Sequence, residues 1–343
     1  MEKAAVQGDG LLIPLIDFSK FLDGSPSQKL ETAKAILKGF QTAGFIYLSN
    51  IPIPPAKRAQ VFDASAKLFA LPAAAKQAIA WESPESNRGY TAPGREKVTL
   101  LTDDAAISAL RTSMPDIKES FEIGNPSNPV YANRWPSAED GDFAGFGETM
   151  TTFFEDLSAL HTSVMRAIAV GMSLPETFFD DYVCDADNTL RLLHYPAVPR
   201  DLFRANPDQV RAGEHSDYGD ITFLFQDDRG GLQVQSTGGG FVDATPIEGT
   251  CIVNAGDLLA RWSNDTIRST VHRVVEPPRK DGEDGGDEVY PARYSIAYFC
   301  NANNKDFIEA IPGTYATEAD KKYAGVNSGE YLRERLRATF GTA

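Results

Sequence analysis

Seven short segments rich in β-branched and aromatic residues follow one another in the second half of the chain, and they constrain its fold more than any other feature. They lie at residues 190–195, 221–226, 232–235, 241–244, 251–254, 269–275 and 293–299. Glycines at 230–231 and 238–240 separate some of them and supply turn conformations. Many short strands divided by turns are typical of a double-sheet jelly roll, so we predict a mainly β core.

The remaining sequence shows helical periodicity between isolated strands. Strands are predicted at 12–18 and 45–48, and helices at 28–42, 56–69, 143–172 and 329–340. Glycine, proline and charge dominate residues 83–136, which we interpret as loops over one mouth of the core. The expected organisation is an N-terminal region at 1–135 and a catalytic core with flanking helices at 136–343.

His215, Asp217 and His272 form the pattern with the strongest chemical implication. Two neutral imidazoles and one carboxylate can occupy one face of a metal ion and leave its other positions open, which suits Fe(II) enzymes that bind a co-substrate and O2 side by side. Taken alone, a His-x-Asp pair is more often a turn capped by the aspartate. The motifs around it favour the metal site.

Arg293 and Ser295 lie two residues apart in a predicted strand, so they share one face with Ala297 and Phe299. An arginine that points into a barrel needs an anionic partner, because an unpaired buried charge is costly. That partner is either an internal Asp or Glu or the far carboxylate of a small dicarboxylate ligand.

Composition limits the classes of partner. A net charge of −15 disfavours a nucleic-acid polymer or an anionic membrane surface, which leaves a small molecule as the expected substrate. No run of about 18 apolar residues predicts a membrane span. Three widely spaced cysteines, Cys184, Cys251 and Cys300, indicate reduced thiols in a cytoplasmic protein. The sequence carries no signal for an oligomeric state.

Together, the motifs resemble those of the 2-oxoglutarate- and Fe(II)-dependent dioxygenases, specifically the isopenicillin N synthase-like branch. The motifs that carry this resemblance are Ile13-Pro14-Leu15-Ile16-Asp17, Arg88-Gly89-Tyr90, Asp116-Ile117-Lys118-Glu119, His215-Ser216-Asp217, Asn254-Ala255-Gly256-Asp257, His272-Arg273-Val274 and Arg293-Tyr294-Ser295. The resemblance covers nearly the whole chain. It implies a double-stranded β-helix (a distorted jelly roll) with flanking helices.

The same resemblance implies Fe(II), 2-oxoglutarate and O2 as cofactor and co-substrates. His215, Asp217 and His272 are then the expected iron ligands. Arg293 and Ser295 are expected at the distal carboxylate of 2-oxoglutarate, and Tyr195 at its metal-side carboxylate. The acidic segment 280–288 lengthens the interval between His272 and Arg293 and is expected to be a solvated loop.

Within this family, the segments 191–196, 260–263 and 297–301 are similar to those of the fungal thymine 7-hydroxylases. This implies oxidation of the thymine methyl group through 5-hydroxymethyluracil and 5-formyluracil to 5-carboxyuracil. Tyr218 and Phe299 could sandwich a flat ring. Arg191 could donate to a ring carbonyl, and Asn188 could assist.

Other activities fit parts of the same pattern. A fungal secondary-metabolite dioxygenase could hydroxylate or desaturate a polyketide-derived or other small molecule on this framework. A zinc hydrolase can use two histidines and an aspartate but does not need the Arg-x-Ser pair. An oxidase like isopenicillin N synthase shares that pair and uses it on its substrate.

Overall fold

The computed structural model describes residues 3–96, 115–137, 141–206, 209–276 and 289–340. Within these residues, nine strands form a major sheet with the spatial order β1 (Lys3–Gly8), β2 (Leu11–Asp17), β3 (Phe45–Ser49), β12 (Cys251–Ala255), β9 (Ile221–Gln226), β15 (Arg293–Cys300), β6 (Thr189–Tyr195), β5 (Glu119–Gly124) and β4 (Gly89–Thr91). All neighbours in this sheet are antiparallel except β2 and β3, which are parallel.

A smaller sheet of four strands has the order β11 (Phe241–Asp243), β10 (Leu232–Gln235), β13 (His272–Val274) and β8 (Ala212–His215). Two short pairs lie outside both sheets: β7 (Val198–Pro199) with β14 (Val289–Tyr290), and β16 (Phe307–Ile308) with β17 (Val326–Asn327).

Side-chain alternation gives the major sheet two different faces. Leu192 on β6 and Ile296 on β15 pack into a large core shared with the helices. Their neighbours Leu193 and Ala297 pack into a second core that also contains Val234 of the smaller sheet. The two sheets therefore face each other, as predicted for a jelly roll.

The helices are α1 (Ser19–Leu22), α2 (Pro26–Thr42), α3 (Pro55–Ala70), α4 (Ala73–Ala78), α5 (Phe146–Gly171), α6 (Asp180–Val183), α7 (Asp201–Ala205), α8 (Asp257–Trp262) and α9 (Ser328–Phe340), with 3-10 turns at Gly141–Phe143 and Glu318–Asp320. Ser25 begins α2 through a capping box with Gln28, which satisfies two free backbone amides. The apolar face of α5 packs on α2 and α3, so the helices cover one face of the major sheet.

Most of the predicted elements are confirmed within one to three residues at each end. The interpretation of residues 83–136 as loops is wrong in part, because β4 and β5 lie there and extend the major sheet. All six residues of β5 are buried, including Glu119 and Glu122. These charged residues hide the apolar pattern by which a buried strand is normally predicted.

Strands from before and after residue 135 belong to the same major sheet. The predicted division into an N-terminal region at 1–135 and a core at 136–343 stays a prediction. The acidic segment 280–288 lies outside the described residues. None of the described helices is long and apolar enough to cross a membrane.

Candidate active site

The smaller sheet brings the two predicted histidine ligands side by side. His215 ends β8, His272 begins β13, and the two residues are direct partners in the antiparallel register. Their ring centroids are 4.3 Å apart. Asp217 follows β8 by two residues, and its Oδ1 lies 3.9 Å from His272 Nε2. One donor atom from each of the three lies within 4.8 Å of the others, which fits ligands around a single ion at bond lengths of roughly 2 Å.

Backbone hydrogen bonds determine which ring nitrogen each histidine presents. His215 Nδ1 lies 2.8 Å from the carbonyl oxygen of Gly213, and His272 Nδ1 lies 3.2 Å from that of Thr270. Because a carbonyl oxygen can only accept, each Nδ1 carries the proton and each Nε2 presents a lone pair. Burial, together with the neighbouring His272 ring, lowers the pKa of His215 to about 3, so this imidazole is neutral at pH 7.

Asp217 is oriented by two further contacts. The side-chain amide of Asn254 donates to Asp217 Oδ2 at 2.7 Å, which leaves Oδ1 directed towards the histidines. The backbone N–H of Asp257, at the start of α8, donates to the Asp217 carbonyl at 2.7 Å. Two imidazole nitrogens and an oriented carboxylate are a donor set that suits Fe(II).

Arg293 is the second fixed point of the site and is only 1% exposed. Its Nε donates to Gly230 O at 2.9 Å, Nη1 to Ser295 Oγ at 3.2 Å and Nη2 to Gln226 Oε1 at 3.1 Å. Its guanidinium also lies 4.8 Å from the centre of the Tyr195 ring. No carboxylate of the described residues forms an ion pair with Arg293, so the internal Asp or Glu considered from the sequence is not found there. A buried guanidinium with only neutral partners is suited to an anionic ligand.

A cavity, which we call the inner cavity, connects this arginine to the two histidines and Asp217. Its walls include the alternate residues of β6 and β15, namely Arg191, Leu193, Tyr195, Arg293, Ser295, Ala297 and Phe299. The prediction that alternation places Arg293, Ser295, Ala297 and Phe299 on one face is therefore confirmed. Tyr195 was expected at the metal-side carboxylate of 2-oxoglutarate, but its ring lies against Arg293, at the end of the cavity where the guanidinium is.

A second cavity, the outer cavity, adjoins the first. The two share five lining residues: Lys118, Arg191, His215, Asp217 and Phe299. Tyr218, Glu96 and Asn87 line only the outer one, as do Leu332, Leu336 and Thr339 of the C-terminal helix α9. His215 and Asp217 thus line both cavities, so a ligand bound in either cavity would lie next to them.

The C-terminal helix holds one wall of the outer cavity in place. The Tyr218 hydroxyl hydrogen-bonds with Thr339, and the Arg335 guanidinium lies 4.6 Å from the centre of the Tyr218 ring. Arg335 also donates to Asp257 at 3.1 Å, and Asp257 accepts from Ser216, which lies between His215 and Asp217 in sequence. The two contacts with α9, at the hydroxyl and at the ring, therefore fix the position of Tyr218.

The structure brings three of the four predicted substrate residues to the outer cavity: Arg191, Tyr218 and Phe299. The Arg191 guanidinium lies 5.2 Å from the centre of the Phe299 ring. Asn188 does not line the cavity. Its amide nitrogen donates to the Tyr298 hydroxyl at 3.0 Å and its oxygen accepts from the backbone of Asn301 at 2.9 Å, so it supports the wall from behind.

Three residues at the site were not singled out from the sequence. Asn254, which orients Asp217, lies within one of the family-like motifs, but no role was predicted for it. Lys118 and Glu96 line the outer cavity from a region interpreted as loops. Lys118 lies within one of the family-like motifs, which was a usable signal, whereas nothing in the sequence around Glu96 marks it.

Comparison with known proteins agrees with this geometry. Residues 186–302 match the model of the 2OG-Fe(II) oxygenase superfamily, and residues 13–138 match the model described as non-haem dioxygenase in morphine synthesis, N-terminal. The chain therefore belongs to the 2OG-Fe(II) oxygenase superfamily. It is a 2-oxoglutarate-dependent dioxygenase with a double-stranded β-helix fold, and its cofactor and co-substrates are Fe(II), 2-oxoglutarate and O2.

Among solved structures, the chain is similar to the thymine 7-hydroxylase of Neurospora crassa. The complex of that enzyme with alpha-KG is 62% identical, and its complex with alpha-KG and thymine is 64% identical. Both comparisons cover 98% of this chain and 99% of that chain, with a TM-score of 0.90. The same enzyme has also been solved with 5-formyluracil.

Among curated relatives, the 2-oxoglutarate-Fe(II) type oxidoreductase ppzD of Metarhizium rileyi is 34% identical, over 95% of this chain and 91% of its own length. The 2-oxoglutarate-dependent dioxygenase frbA of Dothideomycetidae sp. is 33% identical, over 96% of this chain and 97% of its own. The similarity to the Neurospora crassa enzyme is thus considerably greater than that to these two enzymes.

Proposed function

We propose that this enzyme oxidises the methyl group of thymine, first to 5-hydroxymethyluracil and then through 5-formyluracil to 5-carboxyuracil. The observation that carries the proposal is the outer cavity, where Tyr218 and Phe299 line a space beside His215 and Asp217. The high identity to an enzyme solved with thymine and with 5-formyluracil supports the same substrate.

In this proposal, His215, Asp217 and His272 hold Fe(II) through the two Nε2 atoms and Asp217 Oδ1. Asn254 and the backbone carbonyls of Gly213 and Thr270 act as orienting partners. Such contacts matter because they fix ring orientation and the choice of tautomer.

The inner cavity is the proposed 2-oxoglutarate site. Arg293 and Ser295 would bind the distal carboxylate, since Arg293 has no anionic partner among the described residues, and Tyr195 lines the same end. Lys118 and Arg191 also line this cavity but are already paired with carboxylates, so Arg293 is the cation that the cavity offers to a ligand. A buried guanidinium without an anionic partner favours an anionic ligand.

The outer cavity would receive the pyrimidine ring between Tyr218 and Phe299, with Arg191 donating to a ring carbonyl. When bound, Fe(II), 2-oxoglutarate and O2 supply the oxidising chemistry, in which the co-substrate becomes succinate and CO2 and one oxygen atom enters the substrate methyl group. The chain itself places the methyl group beside the metal ligands, and its two aromatic walls exclude water.

The test is substrate-dependent succinate formation. With Fe(II) and 2-oxoglutarate, we expect thymine to stimulate succinate release and to yield 5-hydroxymethyluracil by mass spectrometry. Uracil, which lacks the methyl group, is the matched control. A panel of small methylated aromatics tests the alternative of a secondary-metabolite dioxygenase, and stimulation by one of these but not by thymine would replace the proposed substrate.

We also propose a cytoplasmic location, which fits the free thiols of Cys184, Cys251 and Cys300. The proposed organisation is an N-terminal region at 1–135 that contributes Glu96 and Lys118 to the outer cavity, and a core at 136–343 that contributes the metal ligands.

A further inference from the structure

The outer cavity contains a buried carboxylate that the proposed function has not yet used. Glu96 is 4% exposed and lines the outer cavity but not the inner one. Its Oε1 lies 3.1 Å from Arg191 Nη1, and its Oε2 lies 3.2 Å from Lys118 Nζ without hydrogen-bond alignment. Oε2 has almost no accessible surface, so the acceptor that Glu96 can offer to the cavity is the second lone pair of Oε1, since a carboxylate oxygen can accept more than one hydrogen bond.

Neutralising Arg191 and Lys118 does not by itself require Glu96. Glu122 lies 2.8 Å from Arg191 Nε on the other side of the guanidinium, and Asp116 lies 3.8 Å from Lys118 Nζ. The group thus contains three carboxyl groups and two cations. Of the three, Glu96 lines the outer cavity, whereas Glu122 and Asp116 are not among the described residues that line either the inner or the outer cavity.

The pKa values of the two glutamates that flank Arg191 are shifted in opposite directions. Burial opposes ionisation of Glu96, but Arg191 and Lys118 outweigh it and hold the pKa of Glu96 at about 2. Burial raises the pKa of Glu122 above its ordinary value, although Arg191 lies beside it. Glu96 is therefore an ionised acceptor at neutral pH, and Glu122 is a matched position that contacts the same arginine away from the cavity.

A carboxylate can only accept a hydrogen bond and a guanidinium can only donate. Side by side on one wall, Glu96 and Arg191 match a ligand edge on which a ring N–H lies next to a carbonyl oxygen. Resting on the proposed function, we propose that Glu96 accepts a ring N–H of the substrate while Arg191 donates to the neighbouring carbonyl, which makes Glu96 a specificity-determining residue for lactam or imide rings. A flat aromatic without an N–H would leave the remaining lone pair of Glu96 Oε1 desolvated and without a donor, so the site should bind it more weakly.

The experiment measures binding rather than turnover. Thymine, 1-methylthymine and 3-methylthymine are titrated calorimetrically into the enzyme with Fe(II) and 2-oxoglutarate under anaerobic conditions. One of the two methylated isomers should bind the wild-type enzyme about ten- to a hundredfold more weakly than thymine, as expected for loss of a hydrogen bond to a charged group.

Two isosteric variants distinguish two possible roles of Glu96. In one, Glu96 accepts a hydrogen bond from the substrate; in the other, it only holds Arg191 in position. Glu96→Gln should weaken thymine binding about tenfold while changing the affinity of the disfavoured isomer less than about threefold, because that isomer never donates to Glu96. Glu122→Gln, the matched control, should change the affinities for all three ligands by one common factor.

Several outcomes would overturn the inference. Equal affinities of the three ligands for the wild-type enzyme would do so without any variant, so the test does not depend on whether Glu96→Gln folds. Equal losses for all three ligands in Glu96→Gln would show that Glu96 only supports Arg191. If thymine failed to bind the wild-type enzyme, the proposed substrate and the inference would both be overturned. The first two results would overturn the inference alone, so the two failures can be distinguished.

Discussion

The inner and outer cavities share a wall but differ in charge and in origin. The inner cavity is formed by the two sheets and contains Arg293, which has no anionic partner among the described residues. The outer cavity adds Glu96, Tyr218 and the C-terminal helix α9, and the cations Lys118 and Arg191, which line both cavities, are each paired with Glu96. The difference agrees with the proposed arrangement, in which the anionic co-substrate binds in the inner cavity and a neutral substrate in the outer one.

The two cavities were also predictable to different degrees. The inner cavity follows from strand alternation and short motifs, because Arg293 and Ser295 occupy one strand and His215 and His272 are cross-strand partners. Its least predictable part was β8, since Ala-Gly-Glu-His has neither β-branched residues nor an apolar alternation.

The outer cavity was much less predictable, because its walls come from distant parts of the chain. Tyr218 and Phe299 could be named from their positions next to motifs. Glu96 could not, since its role depends on β5 and on ion pairs that no local pattern reveals. Asn188 was chosen because it lies near Arg191 in sequence, and the structure places it behind the wall instead.

The largest effect is expected from a substitution of Asp217, which lies in the wall shared by the two cavities. Asp217→Ala should reduce thymine-dependent succinate formation to background and abolish tight Fe(II) binding, because it removes the anionic ligand of the proposed metal site. Metal content after dialysis and succinate release are the measurements. Asp243→Ala, on exposed β11 of the same sheet, is the control and should retain both. Normal activity of the Asp217 variant with Fe(II) would refute the ligand assignment.

Arg293→Ala tests the inner cavity alone. Removing a buried charged partner costs about 2–5 kcal/mol, so the KM for 2-oxoglutarate should rise roughly 30-fold or more. The KM for thymine should change little. Arg204→Ala removes a surface arginine paired with Asp201 and should leave both constants unchanged. If the thymine KM rose instead, the assignment of the two cavities would have to be exchanged.

Tyr218→Ala tests the outer cavity in the same way. Loss of one aromatic wall should lower kcat/KM for thymine about tenfold, because stacking and apolar contact are both removed. The KM for 2-oxoglutarate should stay within about twofold of the wild-type value. Steady-state kinetics with each substrate varied in turn separates the two effects. An equal change in both constants would mean that the cavities are not independent.

Ser295→Ala is expected to have the smallest effect. The Ser295 hydroxyl accepts a hydrogen bond from Arg293 Nη1 and would donate one to the distal carboxylate of 2-oxoglutarate. Its loss should therefore raise the KM for 2-oxoglutarate roughly 3- to 10-fold. Direct titration of 2-oxoglutarate in the presence of metal provides a second measurement. An effect as large as that of Arg293→Ala would argue that Ser295 mainly positions the arginine.

The central claim is that two adjoining cavities hold two different ligands on either side of one metal ion. A crystal structure of this enzyme with a redox-inert divalent metal, 2-oxoglutarate and thymine tests it most directly. We predict the ion on His215, Asp217 and His272, 2-oxoglutarate in the inner cavity with its far carboxylate on Arg293, and thymine between Tyr218 and Phe299. Thymine against Arg293, or 2-oxoglutarate against Tyr218, would contradict the account.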